Sequence, residues 1–514
     1  MVFKHDVSSG RGLSVLRSRA RTAIALLAIV GSASTAQAET LESARALFNR
    51  GQYFMAARTA FASMEGDATG TRGQAYALIT RALIASKLYN SASYFFIRTL
   101  QTGDREAIRS VVPETEELMD VVGTDTLRKF LVEHTSTGDY RSDNLSALRF
   151  ALGKESLLQG DTAKAVEHLV QVSERSALFP FTLLARGTAR AIRGEIDAAL
   201  RDFSRCASGG FHKRIDSKTE SDLRARCEAS KARVLYQKNR FLDADVAYDQ
   251  IPKSSFVWTD ILFEQAWNAF ARGQYQRALG KLVTYNSPSL SFVYNSEVHV
   301  LRAQSYLALC LYPEANQAIN DFTNRYSELG KKLKDMLESG LSLASFYEFG
   351  KRALAAKLHS DNDAYRVANR FVRSPYFQTL ALGENRLERE LRAIAYFDHE
   401  EQGTGTRRGL PGFLRQVLKW RKQVVSNLGG AFVKNGLLDY YQVLINDFEK
   451  TAFIKLEMLK RAKDRLQTDS VRSSRAAVED SSVESSDRQM YWNFNGEFWL
   501  DELGDYVLDL TSRC

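Results

Sequence analysis

Proline is nearly missing from this chain, with seven in 514 residues. Its ring breaks or kinks a helix when it falls in the interior. So few prolines, among abundant Ala, Leu and Arg, leave room for long helices. Cysteine is scarce too: Cys206, Cys227, Cys310 and Cys514 are the full set, and no two stand as C-x-x-C. That spacing supports neither a thioredoxin-like redox motif nor a zinc ribbon. Catalytic signatures are absent. The chain has no His-Glu-x-x-His, no Gly-x-Ser-x-Gly and no Gly-Lys-Ser/Thr phosphate loop. Its seven histidines are scattered, and the one dense run of metal-capable side chains is Asp398-His399-Glu400-Glu401. Adjacent residues point in different directions, so that run reads as a solvated turn. Glu114, Glu116, Glu117 and Asp120 read as an exposed helix face. No catalytic residue, metal ligand or cofactor is assigned.

Long apolar runs are absent after residue 38, so no transmembrane segment is expected in the mature chain, since a span needs ~20 apolar residues. The first 38 residues have the three parts of a signal peptide. Lys4, Arg11, Arg17, Arg19 and Arg21 are followed by a short apolar core from Thr22 to Val30, then Ala36-Gln37-Ala38. Export to the periplasm with cleavage after Ala38 is expected. Removing five cations and one acid from a net charge of +9 leaves +5 on the mature chain. That is too mild, on a chain this long, to argue for nucleic acid.

What is present is a repeat. Ala57 and Phe61, Ala92 and Phe96, and Ala199 and Phe203 follow Ala-x-x-x-Phe. Ala165/Leu169, Ala244/Tyr248, Ala278/Leu282 and Ala315/Ile319 keep the spacing with other large apolar residues. Successive anchors fall 34 apart from 165 to 199 and from 244 to 278, the period of the tetratricopeptide repeat (TPR). Gly160, Gly194 and Gly273 stand five before their anchors, where a helix must end and turn. Tyr89, Phe241, Tyr275 and Tyr312 stand three before theirs, and Leu152-Gly153 and Gly187 fill upstream motif positions. A small Ala lets two helices approach, and the residue one turn on fills the gap to the next. An all-α, TPR-like right-handed α-solenoid is predicted over 39–328. The stretch between Ala92 and Ala165 has room for one degenerate repeat, and an insertion of about eleven residues is placed in a polar loop from Ala207 to Glu220.

A helical C-terminal region follows over 329–467. Lys331 to Leu354 reads as one amphipathic run, and 400–412 as a loop. Phe413 to Leu466 reads as two helices broken at Leu428-Gly429-Gly430. Those two would form a coiled-coil-like hairpin or a cap on the last repeat. Residues 468–489 read as a flexible linker. From 490 to 514 the chain becomes an aromatic tail, with Tyr491, Trp492, Phe494, Phe498 and Trp499 crowded together. So much aromatic surface must dock on its own chain or on a partner. An even cysteine count in an oxidising compartment invites disulfides, and four allow three pairings. Cys206 and Cys227 flank the insertion and are expected to pair. Cys310, at a turn position, is then left for Cys514.

The repeats resemble a group of periplasmic TPR proteins of predatory and gliding delta-proteobacteria. Trp258-Thr-Asp-Ile-Leu-Phe-Glu-Gln-Ala-Trp267, Gly273-Gln-Tyr-Gln-Arg-Ala-Leu279 and the tail Tyr491 to Gly504 carry the likeness. The resemblance implies a scaffold or adaptor that binds envelope proteins or peptides, in some members within a membrane-associated gliding complex. Counting back from each anchor puts Phe150, Lys154, Phe181, Arg233, Tyr236, Phe263, Trp267, Phe270 and Gln304 on the first helix of each pair, which lines the concave face. Lys154, Arg233, Tyr236 and Trp267 are the protein-binding candidates, because aromatic anchors with cations suit a carboxylate-bearing peptide. The alternative is a cell-wall (murein) enzyme or regulator with its site after Leu329.

Overall fold

Seven times the chain reverses direction in the same way. Gly51, Lys87, Gly160, Gly194, Asn239, Gly273 and Cys310 all have φ between 55° and 80°. The N–H of the next residue donates to the carbonyl five positions back, as Gln52 does to Leu47 and Leu311 to Tyr306. That is the left-handed helix terminator in which Gly carries least strain. Each turn separates two helices of a pair. The pairs are α1 (Leu41–Asn49) with α2 (Tyr53–Ser63), and α3 (Arg72–Ala85) with α4 (Tyr89–Gln101). Next come α8 (Leu145–Leu158) with α9 (Thr162–Leu169), and α10 (Phe179–Ile192) with α11 (Ile196–Ser208). The last three are α12 (Ser217–Gln237) with α13 (Phe241–Asp249), α14 (Trp258–Ala271) with α15 (Tyr275–Val283), and α16 (Glu297–Ala308) with α17 (Tyr312–Glu338). The computed structural model describes residues 40–64, 71–211, 216–356, 361–402, 409–469 and 492–514. The expected signal peptide, most of the expected 468–489 linker and residues 403–408 of the expected 400–412 loop lie outside them, as do the side chains of the Asp398–Glu401 run; residues 400–402 and 410–412 are helical, so the loop is shorter than expected.

The fourth residue of each second helix is the anchor alanine, and all seven are fully buried: Ala56, Ala92, Ala165, Ala199, Ala244, Ala278 and Ala315. The first anchor is therefore Ala56, one residue before the expected Ala57. A second small position stands twelve residues before each anchor, at Ala44, Thr80, Gly153, Gly187, Ala232, Ala266 and Ala303, all buried. A Cβ at Gly153 would press on Leu169, and one at Gly187 on Phe203. Small residue against large, repeated down the stack, is how each pair closes on itself and leaves its other faces for its neighbours. The fold is an all-α, TPR-like solenoid.

Three departures interrupt it. Between α4 and α8 stand α5 (Arg105–Val111), α6 (Thr115–Val122) and α7 (Thr124–His134), short helices in place of the further degenerate repeat that the stretch had room for. The insertion expected as a loop up to Glu220 instead lengthens α12, which starts at Ser217 under an Asp216 cap. Cys206 on α11 and Cys227 on α12 are bonded across it, both fully buried, with Cα atoms 5.9 Å apart. The run from Lys331 to Leu354 is two helices, because α17 ends at Glu338 and Ser342 caps α18 (Leu343–Ala355). The 328/329 boundary falls inside α17.

Beyond α18 come α19 (Asp363–Val372), α20 (Pro375–Gln402) and α21 (Leu410–Asp469). The last is one helix of 60 residues, about 90 Å long at 1.5 Å per residue. Neither a hairpin nor a break forms at Leu428-Gly429-Gly430. These glycines do not end the helix; they let others come close. A Cβ on Gly429 would meet the Tyr347 ring, and one on Gly430 the Leu343 carbonyl. Near its start α21 sets Phe413 among Phe61, Tyr94 and Phe95 of the first two pairs, with ring centroids 5.1–5.9 Å apart. Near its end Phe448 meets Phe322 at 4.5 Å, and Ile454 and Met458 pack with Val300 and Ile319 of the last pair. From α20, Glu390 reaches the first turn of α4. Its two carboxylate oxygens accept from the backbone N–H and side chain of both Asn90 and Ser91, at 2.8–3.0 Å.

The tail docks on its own chain through Phe494, Phe498, Leu503 and Tyr506; of the crowded aromatics Trp499 stays exposed, and Tyr491 and the Trp492 side chain lie outside the described residues. Strand β1 (Trp492–Asn493) pairs in parallel with β2 (Tyr506–Val507). Tyr506 and Leu503 are buried in the same core as Trp258 and Leu262. Gly280 on α15 leaves room for the Tyr506 carbonyl, and the buried Lys281 ammonium donates to the Gly504 carbonyl at 3.0 Å. Cys310 and Cys514 are bonded, with Cα atoms 5.0 Å apart, and Arg513 N–H donates to the Leu309 carbonyl. Both expected disulfides are present.

Candidate functional site

Helices α12 and α14 carry equivalent faces 34 residues apart, so Arg233 and Trp267 hold the same repeat position, as do Tyr236 and Phe270. The structure brings Arg233, Tyr236 and Trp267 together on these neighbours. Trp267 is half-buried, edge-on to Phe263 at 6.4 Å and to Phe270 at 5.5 Å. Tyr236 lies edge-on to Phe241 at 5.5 Å. Lys154 sits apart, on α8, two repeats away.

The two nominated cations are not free. Arg233 grips Glu264 of α14 through Nε at 2.9 Å and Nη2 at 2.7 Å, and the Tyr248 hydroxyl donates to the same carboxylate at 3.0 Å. Glu264 thereby ties α12, α13 and α14 together. The hydrogen bond to Glu264 pushes the Arg233 pKa up, while burial, then Glu264, push up that of Tyr248. Lys154 pairs with Asp125 of α7 at 2.9 Å. Lys154 and Arg233 each hold a carboxylate of a neighbouring helix, and the Arg233 side chain stays exposed. Phe150 and Phe263 are buried core residues; Phe181, Phe270 and Gln304 are half-buried.

Reading by sequence passed over Arg226. It lies seven residues before Arg233 on α12, on the same face, and is half-buried. Its side chain makes no hydrogen bond among the described residues, and its Nε is fully enclosed. Burial lowers its pKa, and the nearby Arg233 charge adds to this against Asp222. Helical spacing from Arg233 was the available signal; that Arg233 is paired and Arg226 is not could not be read from spacing. The arrangement is a shelf of half-buried aromatic rings, with a cation that lacks a hydrogen-bond partner further along α12, which suits recognition of a partner side chain better than bond-making chemistry. Among the described residues no group of three His, Cys, Asp or Glu side chains is placed to hold a metal ion.

No protein-family model matches this sequence, and no curated protein matches it. Among solved structures the crystal structure of the P58(IPK) TPR domain is similar. It is 16% identical, with 69% of this chain and 97% of that one covered and a TM-score of 0.19. So low a superposition score carries no weight, and the fold assignment rests on the seven repeated turns and anchors. Among the described residues no helix is long and apolar enough to cross a membrane.

Proposed function

We propose that this chain is an exported scaffold that holds other proteins of the cell envelope through its repeat faces. The observation that carries the reading is the half-buried ring set Tyr236, Trp267 and Phe270 on α12 and α14, with Arg226 two turns before Arg233 on α12 and its side chain without a hydrogen-bond partner. A carboxylate from a partner would complete that cation, and the rings would supply apolar contact. Two disulfides that use all four cysteines suit an oxidising compartment such as the periplasm. The signal-peptide pattern of residues 1–38 supports the same location. The resemblance to envelope proteins of gliding bacteria extends the proposal to a motility complex.

Capture of envelope proteins on the immobilised mature chain tests the scaffold. Arg226→Glu should reduce capture at least tenfold with an unchanged melting curve. Equal capture by the variant removes the shelf from the reading. Arg233→Glu is a poor probe, because it breaks the tie to Glu264. Retention of the chain in the cytoplasm on osmotic shock would overturn the location, and normal gliding after deletion would confine it to other envelope complexes. As for a murein enzyme after Leu329, three buried carboxylates are described there, and each has structural partners. Glu384 holds Lys351 and Tyr347, Glu390 caps α4, and Asp447 accepts from Ser296. Murein cleavage by the mature chain would favour that reading.

A further inference from the structure

At the start of α14, a cavity of about 440 Å³ opens where four segments distant in sequence converge. They are the turn before α14 with its first residues, the turn before α16, α19, and Leu500 and Leu503 of the tail. That volume lies in the range of small-ligand pockets, ~300–1,000 Å³. Its walls are largely apolar, with Phe256, Leu290, Phe292 and Val293 among them. Its floor on α19 is cationic, with Arg366, Arg370 and Arg373 at one helical face.

The three arginines differ in what holds them. Arg366 donates to the Tyr294 hydroxyl at 3.2 Å and pairs with Asp363. Arg370 donates to the Tyr294 carbonyl at 3.0 Å and lies 3.5 Å from Asp260, the one acid of the lining. Arg373 faces no carboxylate. Among the described residues its guanidinium makes one hydrogen bond, from Nε to Asn369 Oδ1 at 3.3 Å. That bond fixes the Asn369 amide so that its Nδ2 is left over. Asn369 is 3% exposed and its Nδ2 has no partner. Ser255, across the cavity, likewise has an enclosed hydroxyl without a partner. Buried donors without acceptors are rare and costly, and here they stand in one cavity with an uncompensated guanidinium.

We propose that this cavity binds a monoanionic carboxylate carried on an apolar body, with Arg373 and the Asn369 amide holding the carboxylate and Phe256, Leu290 and Phe292 enclosing the apolar part. A guanidinium fork matches the two oxygens of a carboxylate, and Asn369 Nδ2 supplies a further donor. Asp260 already answers Arg370 and would repel a second negative charge, so a dianion such as phosphate fits less well. Such a carboxylate comes either as the free C-terminus of a polypeptide ending in an apolar residue or as a small organic acid. Arg226, Tyr236, Trp267 and Phe270 are not among the residues that line it.

Calorimetric titration of the oxidised mature chain tests it, with Trp258 of the lining as a fluorescence reporter. The probes are acetyl-Ala-Ala-Leu as the free acid, the same peptide as its amide, hexanoate, and inorganic phosphate. At least one of the two carboxylates should saturate a single site, and the peptide amide should bind at least tenfold more weakly than the free acid wherever that acid binds. A peptide acid tighter than hexanoate assigns the site to polypeptide C-termini; the reverse assigns it to small acids, and both uphold the carboxylate. Arg373→Gln should abolish binding. Asn369→Asp should abolish it too while melting no lower than the parent, since the new carboxylate answers Arg373 from within. Equal binding of acid and amide, tighter binding of phosphate, undiminished binding by Asn369→Asp, or no binding of either carboxylate overturns the proposal.

Discussion

Glu390 offers the sharpest test of how the C-terminal helices hold the repeats. It lies 300 residues from the helix it caps and receives four hydrogen bonds there, two of them from backbone N–H groups of the first turn of α4. Glu390, Asn90 and Ser91 are all buried. Replacing Glu390 by Ala leaves those two amides without an acceptor, and a buried unsatisfied donor costs about 1–3 kcal/mol. Removing the carboxylate gives something back, because burial pushes its pKa up against the four donors and so disfavours the charge. The net expectation for Glu390→Ala is a loss of about 3 kcal/mol, and for Glu390→Gln about half of that, since one oxygen still accepts. Urea unfolding measures the loss. Amide exchange over residues 88–100 locates it, with Asn90 and Ser91 losing protection first. A loss below about 1 kcal/mol with unchanged exchange in α4 would falsify the idea that this cap joins the two regions.

The tail should remain attached after proteolytic cleavage between residues 470 and 491, and should separate only when reductant breaks Cys310–Cys514 and denaturant undocks Tyr506; release by denaturant alone means the bond is absent. Two helix glycines should answer oppositely. Gly383→Ala on α20, where a Cβ meets nothing, should stabilise by about 0.5–1 kcal/mol. Gly430→Ala, aimed at the Leu343 carbonyl, should destabilise by about 3 kcal/mol or more, and a neutral melt would refute the close approach. His299 is buried, its Nδ1 has no partner, and burial first, then Arg302 and Arg325, push its pKa down to about 3. The unfolded chain takes up that proton below about 6.5 and the folded chain does not. Its contribution is therefore complete above pH 6.5 and falls as pH drops towards 3, by up to ~1.4 kcal/mol per pH unit. His299→Gln should flatten that part of the pH–stability curve, and an unchanged slope would refute the assignment.

The repeat was legible because its signal is local. Gly160, Gly194 and Gly273 stand five residues before an alanine, within one turn of chain, and the physics that places them there acts within the same few residues. Lys87 and Cys310 adopt the same positive φ with no local preference to announce it, whereas Asn239 is a residue that tolerates it. The series from Ala44 to Ala303, twelve residues before the anchors, went largely unread because alanine is common in any helix. Gly429-Gly430 misled for a different reason. Two adjacent glycines weaken a helix locally, and only the arrival of Tyr347 and Leu343 makes them an asset. The pairing of the candidate cations was hidden on the same ground: Arg233 and Arg226 share a face, and which of them is already paired depends on Glu264, 31 residues from one of them. The Arg373 cavity draws on residues between 253 and 503, and no window of sequence contains it.

A stack of helical repeats is ordinarily elastic. Each unit touches only its neighbours, so the ends can move apart by small rotations summed along the array, and unfolding can begin at either end. Here α21 contacts the first two pairs near one end and the last pair near the other. Pulling the terminal repeats apart must therefore stretch a continuous helix or strip its side chains from one end. Fraying of α2 or of α17 likewise exposes part of α21, so the terminal units lose the independence that repeat arrays normally have. Under load the molecule would behave as a braced truss that transmits force between its ends, yielding in one abrupt step where an unbraced solenoid would lengthen gradually.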